Sequence, residues 1–206
     1  TLGGLIEKFE EMLSKGLTES KWQEFFKANH FILSLAFAHP VFLVQDQAYV
    51  GGASLRGAGD KIADFLVAQH YTGNLALIEI KRPETRLLNV IAYRTDLYSP
   101  SKDLSGAISQ VLDQRFRLQS NFAQKAYDSD LKNLHPYAIQ CIVIAGTNPH
   151  TKDERKSLDL FRNSTKDVLM ITFDELLMKL KEIHRVFVGG KGDREDSAET
   201  ANGMTF

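Results

Sequence analysis

Residues 137–145, YAIQCIVIA, constrain this chain more than any other segment. A strand with one wet face alternates apolar and polar residues, whereas this run is apolar almost throughout. It therefore reads as a strand covered on both faces, which requires a layer of structure on either side of a sheet. Length permits that arrangement. At 206 residues the chain suggests one domain of ordinary size, with a core that needs no covalent staples.

The remaining pattern supplies the layers. Helical spacing runs over 4–15 through Leu5, Phe9, Met12 and Leu13, and Gly16 stops it. A second helix is capped by Thr18, with Ser20 and Gln23 as a further capping box, and carries Trp22, Phe25 and Phe26 on its apolar side. A short helical turn around 31–37 ends near Pro40. Segments 41–50, 61–69 and 74–81 read as three strands in a meander, with a turn at Thr72-Gly73-Asn74. The glycine-rich GGASLRGAGD between the first two is a hairpin connection; it lacks the Gly-Lys-Ser/Thr ending of a phosphate-binding loop. After a loop over 83–100, a long helix over 103–127 starts at Ser101 or Asp103. The YAIQCIVIA strand, a helix over 152–163, a strand over 167–172 and a helix over 174–185 follow. The expectation is an α/β fold, a mixed sheet flanked by helices. Residues 189–206 are polar and are expected to be a disordered tail.

Composition excludes several classes of function. The formal net charge is -1, which argues against a broad electrostatic grip on nucleic acid but leaves room for a local basic groove. Cys141 is the single cysteine, so no intrachain disulfide forms, as suits a reducing, cytoplasmic setting. No run reaches membrane-spanning length, and no signal peptide is visible. The chain starts at Thr1 rather than Met, which fits a piece of a longer protein.

Chemistry enters at IEIKRP, residues 78–83. Alternation puts Glu79 and Lys81 on one face and Ile78 and Ile80 on the other. Asp64 lies mid-strand in KIADFLVAQ, sharing a face with Ile62 and Leu66. A carboxylate there is costly unless it is paired or bound to a metal. If the two strands pair, Asp64 approaches Glu79, and two converging carboxylates form a hard-oxygen site suited to Mg²⁺. Lys81 could then hold a water beside it, an arrangement suited to metal-assisted phosphodiester hydrolysis. Spacing alone leaves a second reading open, that of a salt-bridged strand pair with no catalytic role.

Further residues favour the first reading. ESKWQEFFKANHFIL, GDKIADFLV, LALIEIKRPET and YSPSKDLSGAISQVLDQRFRL, in this order, resemble the nuclease domain of the Shedu anti-phage defence proteins, within the PD-(D/E)XK nuclease superfamily. The resemblance covers roughly 18–185. It implies a restriction-endonuclease-like mixed β-sheet flanked by helices, with 1–17 as an N-terminal helix or linker, 18–188 as the nuclease domain and 189–206 as the tail. It implies Asp64 and Glu79 as metal ligands, joined by the backbone carbonyl of Ile80. Lys81 corresponds to the lysine that positions the attacking water. Gln110 matches the glutamine of a Gln-x-x-x-Tyr motif, and Glu19 a helix glutamate that completes the acidic cluster. Two positions depart from the pattern: Gln114 stands where the tyrosine is usual, and Ala63 replaces the proline before Asp64. The implied function is Mg²⁺-dependent cleavage of DNA, with Mn²⁺ as a substitute, in defence against phage. The lack of a strongly basic surface suits a homo-oligomer or binding surface borrowed from a partner domain, with an upstream sensor or regulatory domain as the expected partner. The alternative is a catalytically silent module of the same fold that binds nucleic acid or assembles oligomers; Gln114 is the local feature in its favour.

Other reactive side chains carry ordinary explanations. The histidines show no metal-binding spacing, His39 and His135 precede prolines as turn residues, and Glu24 belongs to a solvated face. Cys141 is a buried, inert thiol, and Trp22 with Phe25 and Phe26 is core. Arg82, Lys102, Arg115 and Arg117 are either phosphate contacts or solvated helix charges.

Overall fold

The computed structural model describes residues 1–49, 62–128 and 133–201. The glycine-rich connection between the first two strands lies outside them. The described elements are α1 (Leu2–Leu13), α2 (Glu19–Ala28), α3 (Phe31–Ser34), β1 (Val41–Tyr49), β2 (Ile62–Gln69), β3 (Asn74–Ile80), α4 (Lys102–Asp128), β4 (His135–Ile144), α5 (Lys152–Ser164), β5 (Val168–Ile171) and α6 (Phe173–Ala201). Among the described residues the strands form one five-stranded sheet in the order β1-β2-β3-β4-β5. The β1–β2 and β2–β3 pairs are antiparallel, and the β3–β4 and β4–β5 pairs are parallel. This is a mixed sheet flanked by helices, as the sequence predicts.

Alternation along the central strands divides the core into two layers. Leu75 and Leu77 of β3, with Cys141 and Val143 of β4, pack against Leu104, Ala107 and Val111 of α4 and Leu158 of α5. Ala76, Ile78 and Ile80, with Ile142 and Ile144, face Phe9 of α1, Trp22 and Phe26 of α2, and Phe173 and Leu176 of α6. Both faces of β4 are thus covered toward its C-terminal end, which explains the apolar run. Trp22, Phe9, Phe26 and Phe173 form an aromatic nucleus, with Trp22 and Phe173 ring centroids 4.7 Å apart. Trp22 is core, and Cys141 is fully buried with its thiol pushed up to about 11 by desolvation.

The capping expectations need correction. Thr18 occupies the N-cap of α2 but its side chain makes no capping hydrogen bond, and Gln23 turns to Asp64 rather than closing a box with Ser20. The capping box that does form, between Thr151 and Glu154, starts α5. Ser101 starts α4, its Oγ accepting from Leu104 N at 3.0 Å. The last helix continues to Ala201 rather than ending near residue 185.

Candidate metal centre

β2 and β3 pair from Ala68↔Leu75 to Phe65↔Ile78. One residue further, a side chain replaces the ladder: Asp64 Oδ2 accepts the Ile80 N–H at 2.6 Å. The next main-chain donor, Lys81 N–H, turns to β4 and bonds Ile144 O at 2.8 Å. The strands therefore fork at Asp64, and its carboxylate fills the fork. Glu79 continues the Leu75–Leu77 row of β3 and so meets α4. Its Oε2 accepts from Gln114 Nε2 at 3.0 Å, and its Oε1 from Lys81 Nζ at 2.6 Å.

Glu19, in the first turn of α2, closes the third side. Carboxylate oxygens of Glu19, Asp64 and Glu79 lie within 4.8 Å of one another, and together these groups could hold a metal ion. Asp64 is 8% and Glu79 1% exposed. Lys81 Nζ also stands 3.8 Å from Glu19 Oε2 and 3.3 Å from Gln110 Oε1. The structure thus gathers Glu19, Asp64, Glu79, Lys81 and Gln110 in one place. Ile80 is fully buried beside them, attached to Asp64 through its N–H.

The electrostatics are those of a site with excess negative charge. Burial, then the charge of Glu79, pushes the Asp64 carboxyl up to about 8, with the Ile80 N–H acting the other way. Burial also raises Glu79, against the pull of the Lys81 ammonium and the Gln114 amide. Desolvation lowers Lys81, but its contacts with Glu79 and the charges of Glu19 and Asp64 more than offset this, so the ammonium is held above its ordinary range. Lys81 is therefore a donor and a positive charge, not a base. The fit to a divalent cation rests on the donor set, because three hard oxygen donors converge where too few protein cations exist to neutralise them.

Two contributors escaped the sequence reading. Gln23 of α2 donates from Nε2 to Asp64 Oδ1 at 2.8 Å. Gln114, there a departure from a motif, is 1% exposed and donates to Glu79. Helical spacing held a signal for both, since Gln23 lies four residues after Glu19 and Gln114 four after Gln110, on shared helix faces. Of the residues considered as phosphate contacts, Arg82 pairs with Glu84, Arg115 with Asp167 and Arg117 with Asp113, while Lys102 is exposed at the start of α4. Glu24 is solvent-exposed and pairs with Lys21.

Fold and site together define a class: a mixed α/β domain with a carboxylate cluster and a lysine at the fork of its central hairpin. Residues 16–177 match the sequence family described as Shedu protein SduA, C-terminal. The chain is also 38% identical over 181 residues to the Shedu protein SduA of Bacillus cereus (strain B4264), covering 84% of this chain and 47% of that protein. The chain belongs to the Shedu SduA C-terminal family. It spans about half the length of the relative it matches, 47%. Among the described residues no helix is long and apolar enough to cross a membrane.

Proposed function

We propose that this domain is the metal-dependent nuclease of a prokaryotic anti-phage defence protein, hydrolysing phosphodiester bonds in DNA in the cytoplasm. The observation that carries the reading is the convergence of Glu19, Asp64 and Glu79 within 4.8 Å, with Lys81 Nζ 2.6 Å from Glu79. Asp64 and Glu79 would hold Mg²⁺, or Mn²⁺ in its place, with Glu19 and the Ile80 carbonyl as further oxygen donors. When bound there, such a cation supplies Lewis-acid stabilisation of charge on the scissile phosphate. Lys81, protonated throughout the neutral range, donates hydrogen bonds toward the phosphate and the attacking water, offsetting charge as it builds. Gln110 accepts from the Lys81 ammonium and so keeps it aimed at the site. Family membership supports the defence role, and the remainder of a longer protein is the natural home for a sensor domain and for the contacts of a homo-oligomer.

Gln114 no longer favours a silent module, because its amide serves the Glu79 carboxylate. The test is cleavage of linear and supercoiled DNA with Mg²⁺, Mn²⁺ or EDTA, by the wild type and by Lys81→Ala and Asp64→Asn. Metal-dependent cutting by the wild type, reduced at least about a hundredfold in both variants, is expected. Equal cutting by all three proteins, or none with any metal, would sink the reading.

A further inference from the structure

We infer that Gln23 and Gln114 are a matched pair of positioning residues, two uncharged amides that hold the acidic cluster in shape for a divalent cation; this rests on the metal-dependent reading above. Each carboxylate is gripped at both oxygens. Asp64 accepts from Gln23 Nε2 at Oδ1 and from the Ile80 N–H at Oδ2, at 2.8 and 2.6 Å. Glu79 accepts from Lys81 Nζ at Oε1 and from Gln114 Nε2 at Oε2, at 2.6 and 3.0 Å. Two donors on two oxygens stop a carboxylate from rotating about its terminal bond. A carboxylate oxygen offers two lone-pair directions, so one donor on each leaves capacity for a cation.

The choice of glutamine follows from charge. A lysine or arginine at either position would neutralise a carboxylate and compete with the cation. A carboxylate would add repulsion, and an apolar side chain would leave the acid free to turn. An amide orients without neutralising. The orientation of Gln23 is itself set, since Gln47 Nε2 donates to Gln23 Oε1 at 3.4 Å, leaving the Gln23 nitrogen for Asp64. Gln47 reaches it from a left-handed backbone conformation, φ 47, uncommon outside glycine. On α4, Gln110 and Gln114 are one turn apart and present opposite ends: Gln110 offers its oxygen to Lys81, Gln114 its nitrogen to Glu79. The two positioning amides come from opposite layers, α2 in one and α4 in the other.

Outer hydrogen-bond partners of metal ligands are typically worth about 10- to 100-fold in metal affinity. The experiment is calorimetric titration of the whole protein with Mn²⁺, comparing wild type, Gln23→Met, Gln114→Met and Asp64→Asn, with circular dichroism confirming the fold. Methionine keeps length and volume and removes the donor. Both variants should bind Mn²⁺ about 10- to 100-fold more weakly than wild type, and saturating Mn²⁺ should restore cleavage in samples whose circular dichroism and melting already match wild type before metal is added, so that the rescue is not a gain of fold. Gln23 is only part-buried, so Gln23→Met carries the test alone if Gln114→Met does not fold. Wild-type affinity in a folded Gln23→Met overturns the inference and leaves the nuclease reading standing. No Mn²⁺ binding by the wild type overturns both.

Discussion

Asp64 answers two opposed demands. Its carboxylate closes the hydrogen-bond rung that the forking strands leave open, yet it does so beside Glu79 and Glu19, away from water. The metal-free fold resolves the conflict with a proton. The folded pKa, about 8, lies above the ordinary value of 3.8, so the folded state binds protons more tightly than the unfolded chain. The stability this contributes is complete below the ordinary value and is lost as pH rises through the folded value. Thermal melts in EDTA should therefore fall in Tm between about pH 5 and about pH 8, and Asp64→Asn, which has no charge to bury, should flatten that slope and melt above wild type at the alkaline end. An equally steep slope in the variant would refute this. Cation binding displaces the proton, so Mn²⁺ affinity should rise over the same interval. Glu19 came only with the family resemblance, but Asp64, Glu79 and Lys81 were legible in sequence because a strand's period of two and a short hairpin suffice to bring them together. Gln23 was not, because its contact with Asp64 spans 41 positions and depends on how α2 docks.

At the scale of elements, strands were the more legible, since their boundaries follow apolar runs that must end where cover ends. Helix ends were less so. The overrun of α6 and the missing cap at Thr18 both reflect choices between backbone partners that composition does not decide. One junction between elements has little tolerance. Gly146, just past β4, donates its N–H to Arg82 O and accepts the Phe173 N–H, both at 3.0 Å, so it ties the segment after Lys81 to the start of α6. Its φ is +62, and a Cβ there would lie 2.6 Å from Thr85 O and 2.7 Å from Leu87. Gly146→Ala should cost at least about 2 kcal/mol in urea unfolding, and cleavage should fall further than stability alone explains, because Lys81 sits one residue from the displaced segment. A variant within about 0.5 kcal/mol of wild type would show that the junction yields.

At the scale of the molecule, the two-layer plan was readable from YAIQCIVIA alone, and the family resemblance from the order of its motifs. How the layers communicate was not. Asp64 is linked through Gln23 to α2, and Glu79 through Gln114 to α4, while the sheet lies between those helices. A cation shared by the two acids would be a clasp through the thickness of the domain. Hydrogen exchange should then slow in α2 and α4 together when Mn²⁺ is added to wild type, and in neither helix of Asp64→Asn; slowing confined to β2 and β3 would contradict the clasp. On this view the rigidity of the domain is set in part by the free-ion concentration around it, and the ion that equips it to cut also fastens it shut.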